Sequence, residues 1–222
     1  MTDASTPKRV TILGSTGSVG QSTIDLILAG RNAFHIRALT GGKNIAKLIE
    51  QARLLRPDFV AIADESHYAA LKDALSDLPI RVGAGANAIR EAASMPTDWT
   101  MAAIVGLAGL QPVLDAIPAT KTLAIANKEP LVAAGPLVLA LAQKHGTRVL
   151  PVDNEHNAIF QVLENHNRAY ISKLILTASG GPFRTWSRAD MEYATPAQAI
   201  THPNWTMGAK ISVDSATLMN KA

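Results

Sequence analysis

The stretch Val10-Thr11-Ile12-Leu13-Gly14-Ser15-Thr16-Gly17-Ser18-Val19-Gly20 decides the fold. Its first four residues, apolar or β-branched, read as a buried strand, and the pattern over 19–28 reads as the helix that follows. Between them lies G-x-x-G-x-x-G, a variant of the G-x-G-x-x-G fingerprint. Small residues there let the backbone turn tightly and approach a pyrophosphate, whose charge meets amides at the helix N-terminus. The bare alternative is a tight strand-helix turn that binds nothing. Its place at the first such turn of the chain favours the binding reading.

Working outward, strands are expected at 34–40 and 59–63, more weakly at 80–82, 101–105 and 122–126, and again at 148–152. Ile45, Leu48, Ile49, Ala52 and Leu55 keep helical spacing, as do 68–75 and 131–144. Strands alternating with helices imply parallel pairing through right-handed crossovers, hence a Rossmann-like, doubly wound parallel α/β sheet. After Pro151 the loops become more polar, and a domain boundary is placed near 152. Residues 1–152 form the dinucleotide-binding domain and 153–222 the first part of an α+β catalytic domain. In that second part 173–177 and 210–213 read as strands and 179–209 as a flexible loop. Thr195-Pro196-Ala197-Gln198 has the form of a helix start, with Thr as cap and Gln reaching back.

Composition narrows the function classes. The 222 residues are 47% hydrophobic and 18% charged, the profile of a globular protein with a full core. The net charge of +3 is small and the basic residues are scattered, which argues against nucleic acid as a partner. With no cysteine, thiol catalysis and disulfides are excluded, and a reducing cytoplasm fits. The start of the chain lacks the pattern of a signal or transit peptide. The most apolar stretch, 131–142, contains Gly135-Pro136 and is too short to span a bilayer.

The second expected strand ends Leu39-Thr40-Gly41-Gly42-Lys43-Asn44. An NAD site usually places a carboxylate there for the ribose 2′-hydroxyl. A lysine and an amide stand in its place, and Lys43 can pair with a 2′-phosphate, so NADPH is favoured. The plain reading of Lys43 is a solvated charge at a helix start.

Asp153 and Glu155 follow the strand at 148–152. Residues two apart on an extended segment point to one side, and two close carboxylates suit a hard divalent ion with oxygen ligands. Asp-x-Glu is also a common surface pair. His156 reads equally as a partner of that site or as an ordinary polar residue. Lys128, within Asn127-Lys128-Glu129 at another strand end, suits a substrate oxygen or developing negative charge, or is simply exposed. Downstream, Ser179-Gly180-Gly181 closes an expected strand, Ser215 stands at an expected helix start, and Asn220 and Lys221 follow. Hydroxyls, helix-start amides and a lysine are the parts a phosphate needs. His202-Pro203-Asn204-Trp205 with Met207-Gly208 reads as a closing lid, with Trp205 as a core side chain the alternative.

Taken together, these strings resemble the 1-deoxy-D-xylulose 5-phosphate reductoisomerase family. The resemblance is carried by 14–20, Gly42-Lys43-Asn44, 126–129, 151–160, 179–183, 202–208 and 211–221, and runs from Thr11 to the last residue. It implies that a deoxyketose phosphate is isomerised and the resulting aldehyde reduced by NADPH to 2-C-methyl-D-erythritol 4-phosphate, in the non-mevalonate isoprenoid route. By position it assigns Thr16, Gly17, Ser18, Val19, Gly42, Lys43, Asn44, Asn127, Glu129 and Gly208 to NADPH. Asp153 and Glu155 take Mg²⁺ or Mn²⁺, and Lys128, Asn154 and Glu155 meet the substrate beside the metal. Ser179, His202, Ser215, Asn220 and Lys221 grip its phosphate, with Trp205 and Met207 in the closing loop. A homodimer is also implied.

Two departures matter. The family usually has serine where this chain has Asn154. Its pattern also continues after Asn-Lys with Gly-Leu-Glu, the glutamate being a third metal ligand, whereas this sequence stops at Ala222. Weak metal binding and little or no turnover are therefore expected of these 222 residues. The alternatives are another NADP-dependent dehydrogenase and an inactive NADPH-binding fragment.

Overall fold

A computed structural model of the chain describes residues 6–163, 165–206 and 208–219. The expectations for Met207, Asn220 and Lys221 lie outside the described residues, as does the side chain of Asn154. The chain divides into two compact units, Met1–Val152 and Asp153–Ala222.

The first unit is built on a parallel sheet. Its strands are β1 Lys8–Leu13, β2 Phe34–Gly41, β3 Phe59–Ile62, β4 Arg81–Ala84, β5 Thr97–Ala102, β6 Thr120–Ile125 and β7 Arg148–Pro151. The spatial order is β4-β3-β2-β1-β5-β6-β7, every neighbouring pair parallel. Order reverses between β1 and β5, and ligands of open α/β sheets bind at that switch, beyond the carboxyl ends of the strands. Strands buried on both faces need near-continuous apolar runs, as Phe59-Val60-Ala61-Ile62 shows with every residue buried.

Helices α1 Ser18–Ala29, α2 Ile45–Leu55, α3 Tyr68–Ala74, α4 Gly85–Ala93, α5 Leu110–Ala116 and α6 Glu129–His145 cover the sheet. The core on one side gathers Ile24, Ile27, Leu48, Ala52, Leu55 and Leu71 against Val10, Ile12 and Leu39. A second cluster packs Val113, Ala116, Ile117, Val138 and Ala142 on Leu13, Leu123 and Ile125. In α6, Ala134 departs from helical geometry two residues before Pro136, because proline crowds the turn that precedes it. Among the described residues no helix is long and apolar enough to cross a membrane.

Two adjustments apply to this unit. The strand expected at 101–105 lies earlier, at Thr97–Ala102, where Thr97, Trp99 and Thr100 supply the β-branched and aromatic side chains. Helices α4 and α5 were not expected: both are short, the apolar face of α4 is largely alanine, and α5 carries Pro112 near its start.

The second unit departs further. Its described elements are helical: α7 Asn154–Val162, α8 Arg188–Met191, α9 Pro196–Ala199 and α10 Ala209–Thr217, with a 3₁₀ segment at Asn165–Tyr170. The strand expected at 173–177 is not formed, and Leu174, Ile175 and Leu176 are exposed. Strand-like composition needs a partner to satisfy backbone groups, and no strand is present among the described residues of this unit. The strand expected at 210–213 is the first part of α10 instead. Alternating Ile211 and Val213 suggested a strand, but the Lys210–Asp214 ion pair at 2.7 Å and the buried Ser212 and Ser215 keep helical spacing. The helix start at Thr195 does form, with its capping box reciprocated between Thr195 and Gln198. Ser187 and Asp190 make a second box at α8, so part of the segment expected to be loop is helical.

Candidate functional site

The glycine-rich turn sits at the end of β1, beside the switch point. Gly14 has φ +84, and a Cβ on it would lie 2.6 Å from the Ala103 carbonyl oxygen, just past the end of the strand across the switch. Gly20 leaves no room for a side chain either: its Cβ would stand 2.3 Å from the Gly14 carbonyl oxygen. The first two amides of the turn face inward. Gly14 N–H donates to Thr40 Oγ1 at 2.8 Å and Ser15 N–H to the Thr40 carbonyl at 2.8 Å. The intrahelical ladder of α1 begins only with Gln21 N–H to the Gly17 carbonyl, so the preceding helix-start amides have no intrahelical acceptor. Those amides, over Ser18, Val19 and Gly20, carry the positive end of α1 and can bind an anion.

The end of β2 supplies the neighbouring wall. Gly41 permits close approach, since a Cβ there would meet Thr16 and Leu48 side chains at 3.2 Å, while Gly42 faces open space. Lys43 follows, exposed. Asn44 is committed as the N-cap of α2, its Oδ1 accepting from Lys47 N–H at 3.1 Å. One acidic group nearby escaped the sequence reading. Asp64, after β3, lies beside this loop, its N–H donating to the Gly42 carbonyl at 3.2 Å. The Ser66 hydroxyl and amide hold its carboxyl below the ordinary value, with Lys43 adding a smaller push in the same direction. The rule for adenine-ribose recognition looks at the end of β2, and the adjacent strand end is invisible to it.

At the end of β6, Asn127 is buried and its amide is committed to structure. Nδ2 donates to the Ile104 carbonyl and, at 3.0 Å, to the Gly106 carbonyl; Oδ1 accepts from Glu129 N–H at 3.3 Å. Asn127 thus ties the loop after β5 to the start of α6, and its contact with a dinucleotide cannot come from those donors. Lys128 is the residue before α6 and Glu129 its first residue.

In the second unit, Asp153 and Glu155 open α7 and do not lie on an extended segment. Asp153 is the N-cap: Oδ1 accepts from His156 N–H at 2.8 Å and lies 2.6 Å from His156 Nδ1. An Asp followed by an acid in the first turn is itself a helix-start signal, and it competes with the strand-end reading. His156 thus pairs with Asp153 through both its ring and its backbone amide. Among the described residues no group of three His, Asp or Glu side chains is placed to hold a metal. The two carboxylates fit a hard divalent ion in donor type, and Mg²⁺ in particular is held by one or two carboxylates with water and substrate oxygens completing its shell.

Three of the expected phosphate-binding side chains do come together. Ser179 Oγ lies 2.9 Å from Ser215 Oγ and 3.1 Å from His202 Nε2. The Gly180-Gly181 turn, both residues at positive φ, lets the chain press onto α10, where a Cβ on Gly181 would fall 2.7 Å from the Ser215 carbonyl oxygen. Ser215 is therefore well inside α10, not at its start. His202 Nδ1 accepts from the Asn204 and Trp205 amides, each at 3.2 Å, so Nε2 carries the ring hydrogen toward Ser179. Trp205 stacks on His202 with centroids 4.7 Å apart and stays 58% exposed, which removes the core reading of that side chain. Gly208 is the N-cap of α10, with open space where a Cβ would be.

A parallel sheet with a glycine-walled turn at its switch point defines the Rossmann-like, dinucleotide-binding class of α/β proteins. Within that class the chain belongs to the 1-deoxy-D-xylulose 5-phosphate reductoisomerase family: residues 10–135 match the family and residues 149–222 its C-terminal domain. It is 56% identical over 214 residues to the 1-deoxy-D-xylulose 5-phosphate reductoisomerase of Rhodospirillum centenum, covering 96% of this chain and 53% of that protein. Identity to the Zymomonas mobilis enzyme is 53% over 217 residues, 98% of this chain and 56% of that one. Among solved structures, the reductoisomerase from Zymomonas mobilis in complex with NADPH superposes with a TM-score of 0.90 at 50% identity, over 97% of this chain and 56% of that one. A DOX-P reductoisomerase in complex with NADPH, fosmidomycin and magnesium gives 0.88 at 43% identity, over 96% and 55%. The chain spans about half the length of the curated relatives it matches.

Proposed function

We propose that this chain carries the cofactor site and part of the catalytic site of an NADPH- and divalent-metal-dependent reductoisomerase. The reaction is the isomerisation and reduction of 1-deoxy-D-xylulose 5-phosphate to 2-C-methyl-D-erythritol 4-phosphate, an early step of non-mevalonate isoprenoid synthesis. The observation that carries this reading is the turn between β1 and α1, with no room for a side chain at Gly14 or Gly20 and with helix-start amides that have no intrahelical acceptor.

When bound, NADPH supplies a hydride and Mg²⁺ or Mn²⁺ supplies a Lewis acid at the substrate oxygens. The chain's own residues bind and orient. Backbone at Thr16, Gly17, Ser18 and Val19 meets the pyrophosphate; Lys43, with Gly42 and Asn44, meets the 2′-phosphate, where its charge favours NADPH over NADH. Asn127 keeps the 104–106 loop in place, Glu129 begins the helix beside it, and Gly208 is assigned to the cofactor. Asp153 and Glu155 hold the ion, and Lys128 and Asn154 meet the substrate near it. Ser179, His202 and Ser215, with Asn220 and Lys221, take the phosphate, and Trp205 and Met207 exclude water over it. The Nε2-H tautomer of His202 directs the Ser179 hydroxyl hydrogen to Ser215, which frees the Ser215 hydrogen for a phosphate oxygen. The enzyme is read as a cytoplasmic homodimer, without nucleic-acid or membrane partners.

A second reading is NADPH binding without turnover: Asp153 and Glu155 supply two carboxylates, and among the described residues no group of three His, Asp or Glu is placed to hold a metal. NADPH consumption with 1-deoxy-D-xylulose 5-phosphate, with Mn²⁺ and then with a chelator, separates the readings. Chelator-sensitive turnover establishes the reaction and removes the second reading. Turnover that survives the chelator points to a different dehydrogenase. NADPH binding without consumption supports the second reading.

A further inference from the structure

Helix α2 buries Leu48, Gln51, Ala52 and Leu55 along one stripe, and Gln51 is the polar member of that apolar face. It is 3% exposed, and a buried amide must find partners. It finds them in the glycine-rich turn. Gln51 Nε2 donates to the Ser15 carbonyl at 3.0 Å, and the Ser15 hydroxyl lies 2.8 Å from Gln51 Oε1 and 3.1 Å from the Thr40 carbonyl. Ser15 is fully buried and takes no part in the outer surface of the turn. The same helix starts, two turns earlier, just after Lys43, where the Asn44 side chain caps it. Seven helical residues span about 10 Å, so α2 is a rigid strut between the two loops at the ends of β1 and β2.

We infer that Gln51 is a positioning residue that fixes the spacing between the pyrophosphate-binding turn and the Lys43 loop. This rests on the cofactor reading above. A dinucleotide phosphate meets both loops at once, and the second contact gains from the first only when the spacing is held. A mononucleotide that meets the Lys43 loop alone gains nothing from the strut. Gln51 thus strengthens binding of the whole dinucleotide phosphate and leaves recognition of its adenosine 2′-phosphate end unchanged.

The test is a pair of titrations, with NADPH and with adenosine 2′-monophosphate, on the 222-residue chain and its Gln51→Met variant. The variant is expected to weaken NADPH binding about tenfold, which is ~1.4 kcal/mol, with adenosine 2′-monophosphate binding changed less than about twofold. Equal weakening of both ligands shows that Gln51 serves only the fold and overturns the inference. Unchanged NADPH affinity in the variant also overturns it while leaving the cofactor reading intact. Failure of the unaltered chain to bind NADPH sinks the cofactor reading and the inference with it. Should Gln51→Met not fold, Ser15→Ala removes the hydroxyl half of the clamp at a site with no ligand contact of its own. The same split between the two ligands is expected, and its absence overturns the inference.

Discussion

The hydroxyls of Ser179 and Ser215 stand 2.9 Å apart although 36 residues separate them in the chain. Gly180 and Gly181 make that possible, because both adopt positive φ and Gly181 lies against the Ser215–Ala216 backbone. His202 completes the row from a third segment, with its ring orientation set by the Asn204 and Trp205 amides. The proposed phosphate site is thus assembled by backbone conformation as much as by the side chains assigned to the ligand.

Gly181→Ala tests that dependence. A Cβ would meet backbone atoms of Ser215 and Ala216 at 2.7 Å, at a φ of +59 that alanine adopts at a cost of about 1 kcal/mol. The expected result is a loss of 1-deoxy-D-xylulose 5-phosphate affinity equal to that of Ser179→Ala, measured by calorimetry. An affinity unchanged from the unaltered chain contradicts the assembly described.

Gly20→Ala probes the first unit in the same way. Its methyl group would sit 2.3 Å from the Gly14 carbonyl oxygen, a backbone atom that cannot rotate aside. Overpacking of this kind costs about 1–3 kcal/mol. A lowered Tm together with at least about tenfold weaker NADPH binding is expected; a Tm and Kd both unchanged would place the turn elsewhere.

Lys43→Ala addresses cofactor choice. A charge-assisted contact to a phosphate contributes about 1.5–3 kcal/mol, so NADPH affinity should fall roughly ten- to hundredfold while NADH affinity stays level. A parallel fall for both dinucleotides would show that Lys43 does not read the 2′-phosphate.

At the other end of the sheet, Asp98 of β5 accepts from the Arg9 backbone and side chain of β1 and pairs with Lys121 of β6 at 2.8 Å. The Arg9 guanidinium first, and Lys121 second, hold its carboxyl well below the usual range. A depressed folded-state value means the stabilisation is present above the unfolded carboxylate value, ~3.9, and is lost as pH falls below it. Asp98→Asn should therefore lower unfolding free energy at pH 7 by about 1 kcal/mol and flatten its decline below about pH 4. Urea titrations at pH 7 and pH 3 check both; an equal deficit at the two pH values removes the charge explanation.

Much of the first unit was legible because its signals are local. The apolar face Leu48, Ala52 and Leu55 with Asn44 before it gives α2 its bounds, and β1 with its glycine turn reads directly from eleven residues. What was not legible depends on neighbours far along the chain. Gln51 meets Ser15, 36 residues earlier, Asp64 reaches the Lys43 loop only through the β2–β3 pairing, and Asn127 turns inward to Ile104 and Gly106. In the second unit the strand-like 173–177 has no strand beside it among the described residues, and Asp153 obeys its capping preference. Ser179 and Ser215 were nevertheless nominated by residue type and His202 by the family resemblance, and the three do meet.

The most direct measurement is a fluorescence titration of the 222-residue chain with NADPH and, in parallel, with NADH. Saturable NADPH binding at least about tenfold tighter than NADH is the predicted result. No saturation with NADPH, or equal dissociation constants for the two, would contradict the cofactor site on which the account rests.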